Sequence, residues 1–436
     1  MTINKKLVSD SIELSAIKTD KFKTGIITFT LTLPLTQDFY LNSLLLTGIL
    51  RRGTEKYPRM ADINRRLDEL YASSLDIRCN MLGDSLLIIF SGEFLDSRYV
   101  YSDDDIVAGI IEMVAQMLLF PNHSEDSFDE KVFEQEKKCV SDALRSEVNN
   151  TRVYAAIKCN ELMNRDNTDY PTVDGLLGRL GEVSAKDVFK FYKNEVLNAS
   201  IDVFYIGNET VDAIGEKILK EFDGFIGAES RRATTATEAL TLEFISKTKS
   251  MPVSQGKLTM GFFAGVDVID DNYYSALVLN EIFGGFASSK LFLNVREKMN
   301  ICYYCSSSYS IYSGIMLVSA GIDSSNHRIA ERAILDQLEE IKNGNISDDE
   351  LSSAKKSLVN CYKQIYDNPL DIQSFHGGRA LFGIEESVES CQEKIAAVTN
   401  ESIVSIARDI KYIAEFFVEE NLSEAQDDFA EDDDDR

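Results

Sequence analysis

The chain of 436 residues contains no tryptophan and only three histidines, His123, His327 and His376. These stand far apart, and no two fall in an HxxxH or HxxEH spacing, so no helix presents the paired imidazoles of a zinc peptidase. For each histidine a structural or surface role is the expectation, with His123 in a loop and His376 of "SFHGG" near a helix end. Basic residues are also scarce, 45 against 72 acidic, for a net charge of −27. A nucleic-acid partner needs a basic footprint to neutralise phosphates, so that class is excluded. The acidic surplus favours solubility and basic partners or substrates. No apolar run approaches the roughly 18 residues of a membrane span. The opening "MTINKKLVSDSIELS" has no apolar stretch of signal-peptide length. A cytoplasmic protein with no membrane partner is the expectation.

Seven scattered cysteines, an odd number, imply no disulfide framework. One pair, Cys302 and Cys305 of "CYYC", has a redox or half-zinc spacing. It sits in a strand-like stretch, where positions three apart point to opposite faces, and no second CxxC completes a four-ligand site. No loop has EF-hand spacing. No GxSxG elbow supports the Ser306–Ser308 stretch as a hydrolase nucleophile. No catalytic metal and no cofactor are expected.

What is present reads as two rounds of one plan. "TGIITFTLTLP" (24–34) alternates like a strand, and "LNSLLLTGILRRGTEKYP" (41–58) is an apolar helix running into a turn. "MADINRRLDELYASSL" carries Ile63, Leu67, Leu70 and Tyr71 on one helical stripe. A hairpin turns at Gly83-Asp84. Long helices are expected from about 102 to 119 and 126 to 164, and "ASIDVFYIGN" closes the half as a strand.

The second half repeats this with the strand "QGKLTMGFFAG", a helix ending at Gly284-Gly285, the helix "SKLFLNVREKMN" and a strand pair. An amphipathic helix follows, with Ile329, Ala333, Leu335, Leu338 and Ile341 toward the core. The expected fold is α+β: two homologous domains, each a mostly antiparallel sheet covered by helices on one face. The divisions are 1–225, a small and polar linker 226–243, 244–425, and an acidic tail 426–436 too poor in apolar residues to pack.

The order of elements and several stretches resemble the pitrilysin/insulinase metallopeptidase family, which includes the mitochondrial processing peptidases. "GTEKYP" is similar to the turn after that family's metal helix, and "FDEKVFEQEKKCVSDALRSEVNN" to its downstream metal-binding helix. "GGFASSKLFLNVREKMNICYY" resembles its C-terminal-half signature. "TDKFKT" and "REKMNICYYCSS" are similar to a bacterial subgroup associated with the 5-aminopentanol modification of elongation factor P. The family's chemistry uses two histidines one turn apart on zinc, a glutamate between them as general base, and a distant glutamate ligand.

Placed on Gly53-Thr54, the resemblance puts these roles at Leu44, Thr47 and Gly48. With Glu136 as the upstream acid, the distant ligand falls at Ala143. None of the four can do its task. The resemblance also implies a substrate-binding arginine and tyrosine, at Arg296 and Tyr303. The bland alternative pairs Arg296 with Glu297 or Asp323 and packs Tyr303 in the sheet, and Gly284-Gly285 is read as a helix stop or a mobile turn.

Smaller family members pair two such chains. The resemblance therefore implies a non-catalytic subunit of a heterodimeric peptidase, with zinc only in an HxxEH-bearing partner and a peptide substrate, and leaves open whether the isolated chain is a monomer or a homodimer. A non-proteolytic scaffold or peptide-binding accessory protein is the alternative.

Overall fold

The computed structural model describes residues 1–101, 104–228, 231–236 and 242–421. The acidic tail and part of the polar linker lie outside the described residues. Among the described residues, eleven strands form two sheets. The first holds β1 (Ile3–Ser9), β2 (Ile12–Lys18), β3 (Thr24–Pro34), β4 (Ser74–Leu82), β5 (Ser85–Leu95) and β6 (Ile201–Gly207), in the order β1-β2-β6-β3-β5-β4. The second holds β7 (Ile245–Met251), β8 (Gly256–Phe263), β9 (Cys302–Ser310), β10 (Ile315–Ile322) and β11 (Lys411–Glu420), in the order β7-β11-β8-β10-β9. After β1 the two orders correspond strand for strand. Each sheet also has one parallel pair, β2 with β6 and β7 with β11, among antiparallel neighbours. The duplication read from local stretches is thus a duplication of topology.

The helices of the first half are α1 (Gln37–Leu50), α2 (Met60–Glu69), α3 (Ile106–Leu119), α4 (Glu130–Ser146), α5 (Thr151–Met163), α6 (Val173–Leu180), α7 (Ala185–Phe191) and α8 (Val211–Glu221). Those of the second are α9 (Tyr273–Asn280), α10 (His327–Lys342), α11 (Asp348–Gln364), α12 (Pro369–Ala380), α13 (Val388–Ala397) and α14 (Asn400–Asp409). On β3 the apolar members of the alternation, Ile27, Phe29, Leu31 and Leu33, share a core with Leu41, Leu45 and Leu46 of α1. Each such side chain taken from water contributes roughly 1.5–3 kcal/mol. Thr36 caps α1, its side chain accepting from the Phe39 N–H at 3.1 Å.

The helix expected from 126 to 164 is two helices. It breaks over Glu147–Asn149, and the Asn150 side chain accepts from the Val153 N–H to start α5 anew. The break redirects the chain. One compact unit comprises Met1–Leu144, Asp169–Thr234 and Ile365–Glu385, and the other Arg145–Thr168, Thr235–Gln364 and Glu386–Arg436. So α5, from the first half, packs on β8 and β11, while α12, from the second half, packs on β3 and β6. In each unit the main helical layer covers one sheet face, as expected, and the exchanged helix adds cover on the other. There Ile372 of α12 meets Ile17, Phe204 and Ile206, and Cys159 and Met163 of α5 meet Phe416 and Val418.

Smaller departures have local causes. Leu70 and Tyr71 fall beyond the end of α2, where Tyr71 and Ala72 take left-handed backbone with φ of 58° and 55°. Ile329 faces solvent, and Ile334 takes the core position on α10.

Candidate functional site

Helix α1 packs along most of its length, while Leu44 and Gly48, where the resemblance places two metal ligands, are only half-buried. Leu41, Leu45, Leu46, Thr47, Ile49 and Leu50 are buried. Gly48 of α1 and Arg52, in the turn that follows the helix, both meet Glu136 of α4. The Leu44 side chain packs against the core. Thr47 donates its hydroxyl to the Leu44 carbonyl at 3.1 Å, a bond within its own helix that turns it away from base chemistry.

Gly48 is filled from outside. A Cβ at this position would stand 2.7 Å from the Glu136 Cδ, so the Glu136 side chain occupies the volume a histidine would need. Glu136, buried, pairs with the Arg52 guanidinium through Oε1. Ala143, on the exposed side of α4, offers no ligand atom. The residues present do not fit a zinc ion: the donors are gone, and a fixed cation, Arg52, neutralises the remaining carboxylate. The sequence reading did not single out Arg52. Its spacing of four from Gly48 was the available signal.

The "GTEKYP" turn persists for a different reason. Thr54 is buried, its N–H donating to the Tyr57 carbonyl at 2.8 Å and its hydroxyl accepting from the Tyr57 N–H at 2.9 Å. A side chain on Gly53 would meet the Asn122 amide at 2.5 Å. Lys56 binds Glu112 of α3 at 2.8 Å, and that hydrogen bond raises the lysine pKa. The turn is a clamp between the end of α1 and α3.

Arg296 lies in a π-helical segment, Leu291–Lys298, packed on β9, and Tyr303 lies at the start of β9. Tyr303 is 63% exposed, so it does not pack in the sheet. Its hydroxyl stands 3.4 Å from Asp323 Oδ1. Arg296 is 3.7 Å from Glu297 and stacks over the Phe292 ring at 4.6 Å. Gly284 lies near the end of a π-helical turn, Glu281–Gly285, against β9, where a Cβ would stand 2.6 Å from the Ser307 N–H nitrogen. It is therefore a close-approach glycine, held by packing rather than free to move.

The cysteine pair differs from the sequence reading. The ladder between β9 and β10 shifts register between Gly321 and Ile322, pairing Gly321 with Tyr304 and Ile322 with Cys302. Tyr303 is the extra residue of a bulge, which restores Cys302 and Cys305 to one face. Both are buried. The Cys305 thiol hydrogen-bonds Cys302 and, with nearby Arg296, lowers the Cys302 pKa, while the same bond and burial raise that of Cys305.

The histidines separate. His123 is exposed in a loop. His376 is buried inside α12, not at a helix end, and packs edge-on against Phe375. His327 opens α10 with its Nε2 3.1 Å from Glu415. No helix among the described residues is long and apolar enough to cross a membrane.

Comparison with known proteins agrees with this geometry. Residues 182–358 match the family model "Peptidase M16 inactive domain". Over 405 residues, 92% of this chain and 94% of the relative, the sequence is 25% identical to the "Probable inactive metalloprotease YmfF" of Bacillus subtilis (strain 168). It is 24% identical over 201 residues, 45% of this chain and 49% of the relative, to the "Uncharacterized zinc protease YmxG" of the same organism. Among solved structures, a conserved protein from Enterococcus faecalis V583 superposes with a TM-score of 0.87 at 25% identity, covering 96% of this chain and 99% of that one. A peptidase M16 inactive domain from Pseudomonas fluorescens shares the fold, with a TM-score of 0.78 at 14% identity, covering 97% of this chain and 99% of that one.

Proposed function

We propose that this chain, a non-catalytic homologue of the M16 peptidases, serves as the substrate-binding subunit of a heterodimeric peptidase whose partner carries HxxEH and the zinc. One contrast carries the reading. Helix α1 is closed by the Arg52–Glu136 pair, whereas Arg296 and Tyr303 stay partly exposed, their polar contacts among the described residues being Glu297 at 3.7 Å and Asp323 at 3.4 Å. A buried tyrosine or a saturated arginine has no donor to offer; these two keep theirs. In the assembled pair, the guanidinium fork holds the substrate backbone, and the Tyr303 hydroxyl donates to the oxygen that gains charge during cleavage. The acidic surplus favours basic peptides as substrates and speeds their capture. We place the complex in the cytoplasm. The similarity of "TDKFKT" and "REKMNICYYCSS" to the subgroup associated with elongation factor P modification supplies one cellular setting to examine.

The experiment is affinity isolation of the chain from its native cells, followed by zinc analysis and peptide cleavage by the recovered complex. The comparison is with the same complex carrying Arg296→Ala and Tyr303→Phe. Support is a zinc-bearing HxxEH subunit, cleavage of basic peptides, and loss of cleavage in the double variant with assembly intact. Recovery without any metallopeptidase, or cleavage indifferent to both substitutions, replaces this reading with the scaffold. Deleting the gene and finding elongation factor P modification unchanged removes that setting alone.

A further inference from the structure

A second cluster of ligand-type side chains lies in the unit that contains the second sheet, away from the lost site on α1. His327 and Glu331 stand four apart on the first turns of α10, hence on one face. Glu415 comes from β11 to meet them, and one ligand atom from each of the three lies within 4.8 Å of the other two. The surroundings fix these atoms. Glu415 is fully buried and accepts from Tyr412 at 2.7 Å and from Ser246 of β7 at 2.9 Å. The His327 ring lies against Phe417, with centroids 4.1 Å apart and planes 16° from parallel, and its Nε2 points at Glu415 Oε1.

Two carboxylates converge on one imidazole, and Arg328 pairs with Glu331 at 2.8 Å from the solvent side, its own side chain 76% exposed. The outer shell of a metal site is already in place: two hydroxyls orient Glu415 and a stacked ring orients His327.

We propose that His327, Glu331 and Glu415 form a binding site for a divalent transition-metal ion of the zinc class. One imidazole nitrogen and two carboxylate oxygens suit zinc, whereas magnesium and calcium favour all-oxygen shells. Three protein ligands leave a position for water on the partly exposed side of His327 and Glu331. Ligation would use the neutral imidazole of His327 and the two carboxylates. The ion ties the start of α10 to β11 and, through Ser246, to β7. The role is structural and needs neither a catalytic partner nor peptide.

The test uses the full chain after chelation and dialysis, titrated with zinc chloride by calorimetry and with cobalt chloride by visible absorption. One equivalent of zinc is expected, with a rise in Tm and a cobalt spectrum of four- or five-coordinate nitrogen/oxygen ligation. Glu331→Gln leaves the buried His327–Glu415 pair intact and so is expected to fold. It should weaken zinc binding at least about tenfold and remove the gain in Tm. His327→Ala should abolish binding. Failure of the wild-type chain to take up zinc overturns the proposal. So does affinity unchanged in Glu331→Gln, or magnesium binding as tightly as zinc, which would mark adsorption to acidic surface.

Discussion

The carboxylate of Glu136 stands in the space above Gly48, held there by Arg52 from the turn that follows α1. This relationship puts a salt bridge against the glycine, and it makes the glycine as necessary as the charges. Gly48→Ala is expected to cost about 1–3 kcal/mol through overpacking. Restoring histidine there, alone or with Leu44→His, should destabilise further without recovering zinc. Arg52→Ala strands a mostly buried carboxylate and should cost about 1–3 kcal/mol, toward the low end because Arg52 itself is 35% exposed. Urea unfolding reads each difference. Wild-type stability in Gly48→Ala would show that Glu136 is free to move aside.

The exchanged helix α5 gives a second expectation. Met163 and Cys159 approach Gly261 of β8 so closely that a Cβ there would meet the Met163 sulfur at 2.5 Å and the Cys159 sulfur at 3.1 Å. Met163→Ala opens a cavity in this packed layer, at a cost of about 2–5 kcal/mol. Although residue 163 belongs to the first half of the chain, hydrogen exchange should accelerate in β8 and β11 and stay unchanged in β3 and β6. Acceleration confined to the first sheet would contradict the exchange of helices.

Stability should fall with rising pH through a window set by Asp202. Burial raises its pKa to about 7, and Glu13, its register partner on β2, pushes the same way against Lys5. Thr30 of β3 is its other register partner. The unfolded aspartate titrates near 4, so between about pH 4 and 7 the native state holds a proton that the unfolded state has lost. Each step up in pH there favours unfolding. Asp202→Asn should flatten that slope and be the more stable protein above pH 7, by at most about 4 kcal/mol. Parallel pH profiles for the two proteins would refute the assignment.

The bulge at Tyr303 makes a prediction about thiol chemistry. The Cys305 thiol stabilises the Cys302 thiolate by hydrogen bonding, with Arg296 adding to it. Cys305→Ala should raise the Cys302 pKa and slow its alkylation severalfold at fixed pH near 8, normalised to exposed Cys139. Arg296→Ala should act in the same direction, less strongly. An unchanged rate in both variants would mean the two sulfurs do not interact in solution.

Much of this molecule was legible in its residues. The Thr-and-apolar alternation of 24–34 is β3, the hairpin turns at Gly83, and the two halves repeat one strand order because the repeat is written in periodicity. That Leu44, Gly48 and Ala143 offer no metal-donor atoms, and Thr47 only a poor base, was equally plain from the residues. Those properties belong to single residues or near neighbours, and the chain determines them alone.

Other features depended on contacts between residues distant in sequence. Asn150 caps a new helix, but only packing sends α5 to the sheet of the other half. One unpaired residue at Tyr303 reversed the facing of Cys302 and Cys305, because a strand's period of two is broken by a single insertion. Glu136 meets Gly48 across 88 residues, and Glu415 meets His327 across another 88. Local pattern determined which elements form and which chemistry is gone. Tertiary structure decided what fills the vacated site and which charges converge, because burial and Coulomb energies depend on distances that no sequence spacing specifies.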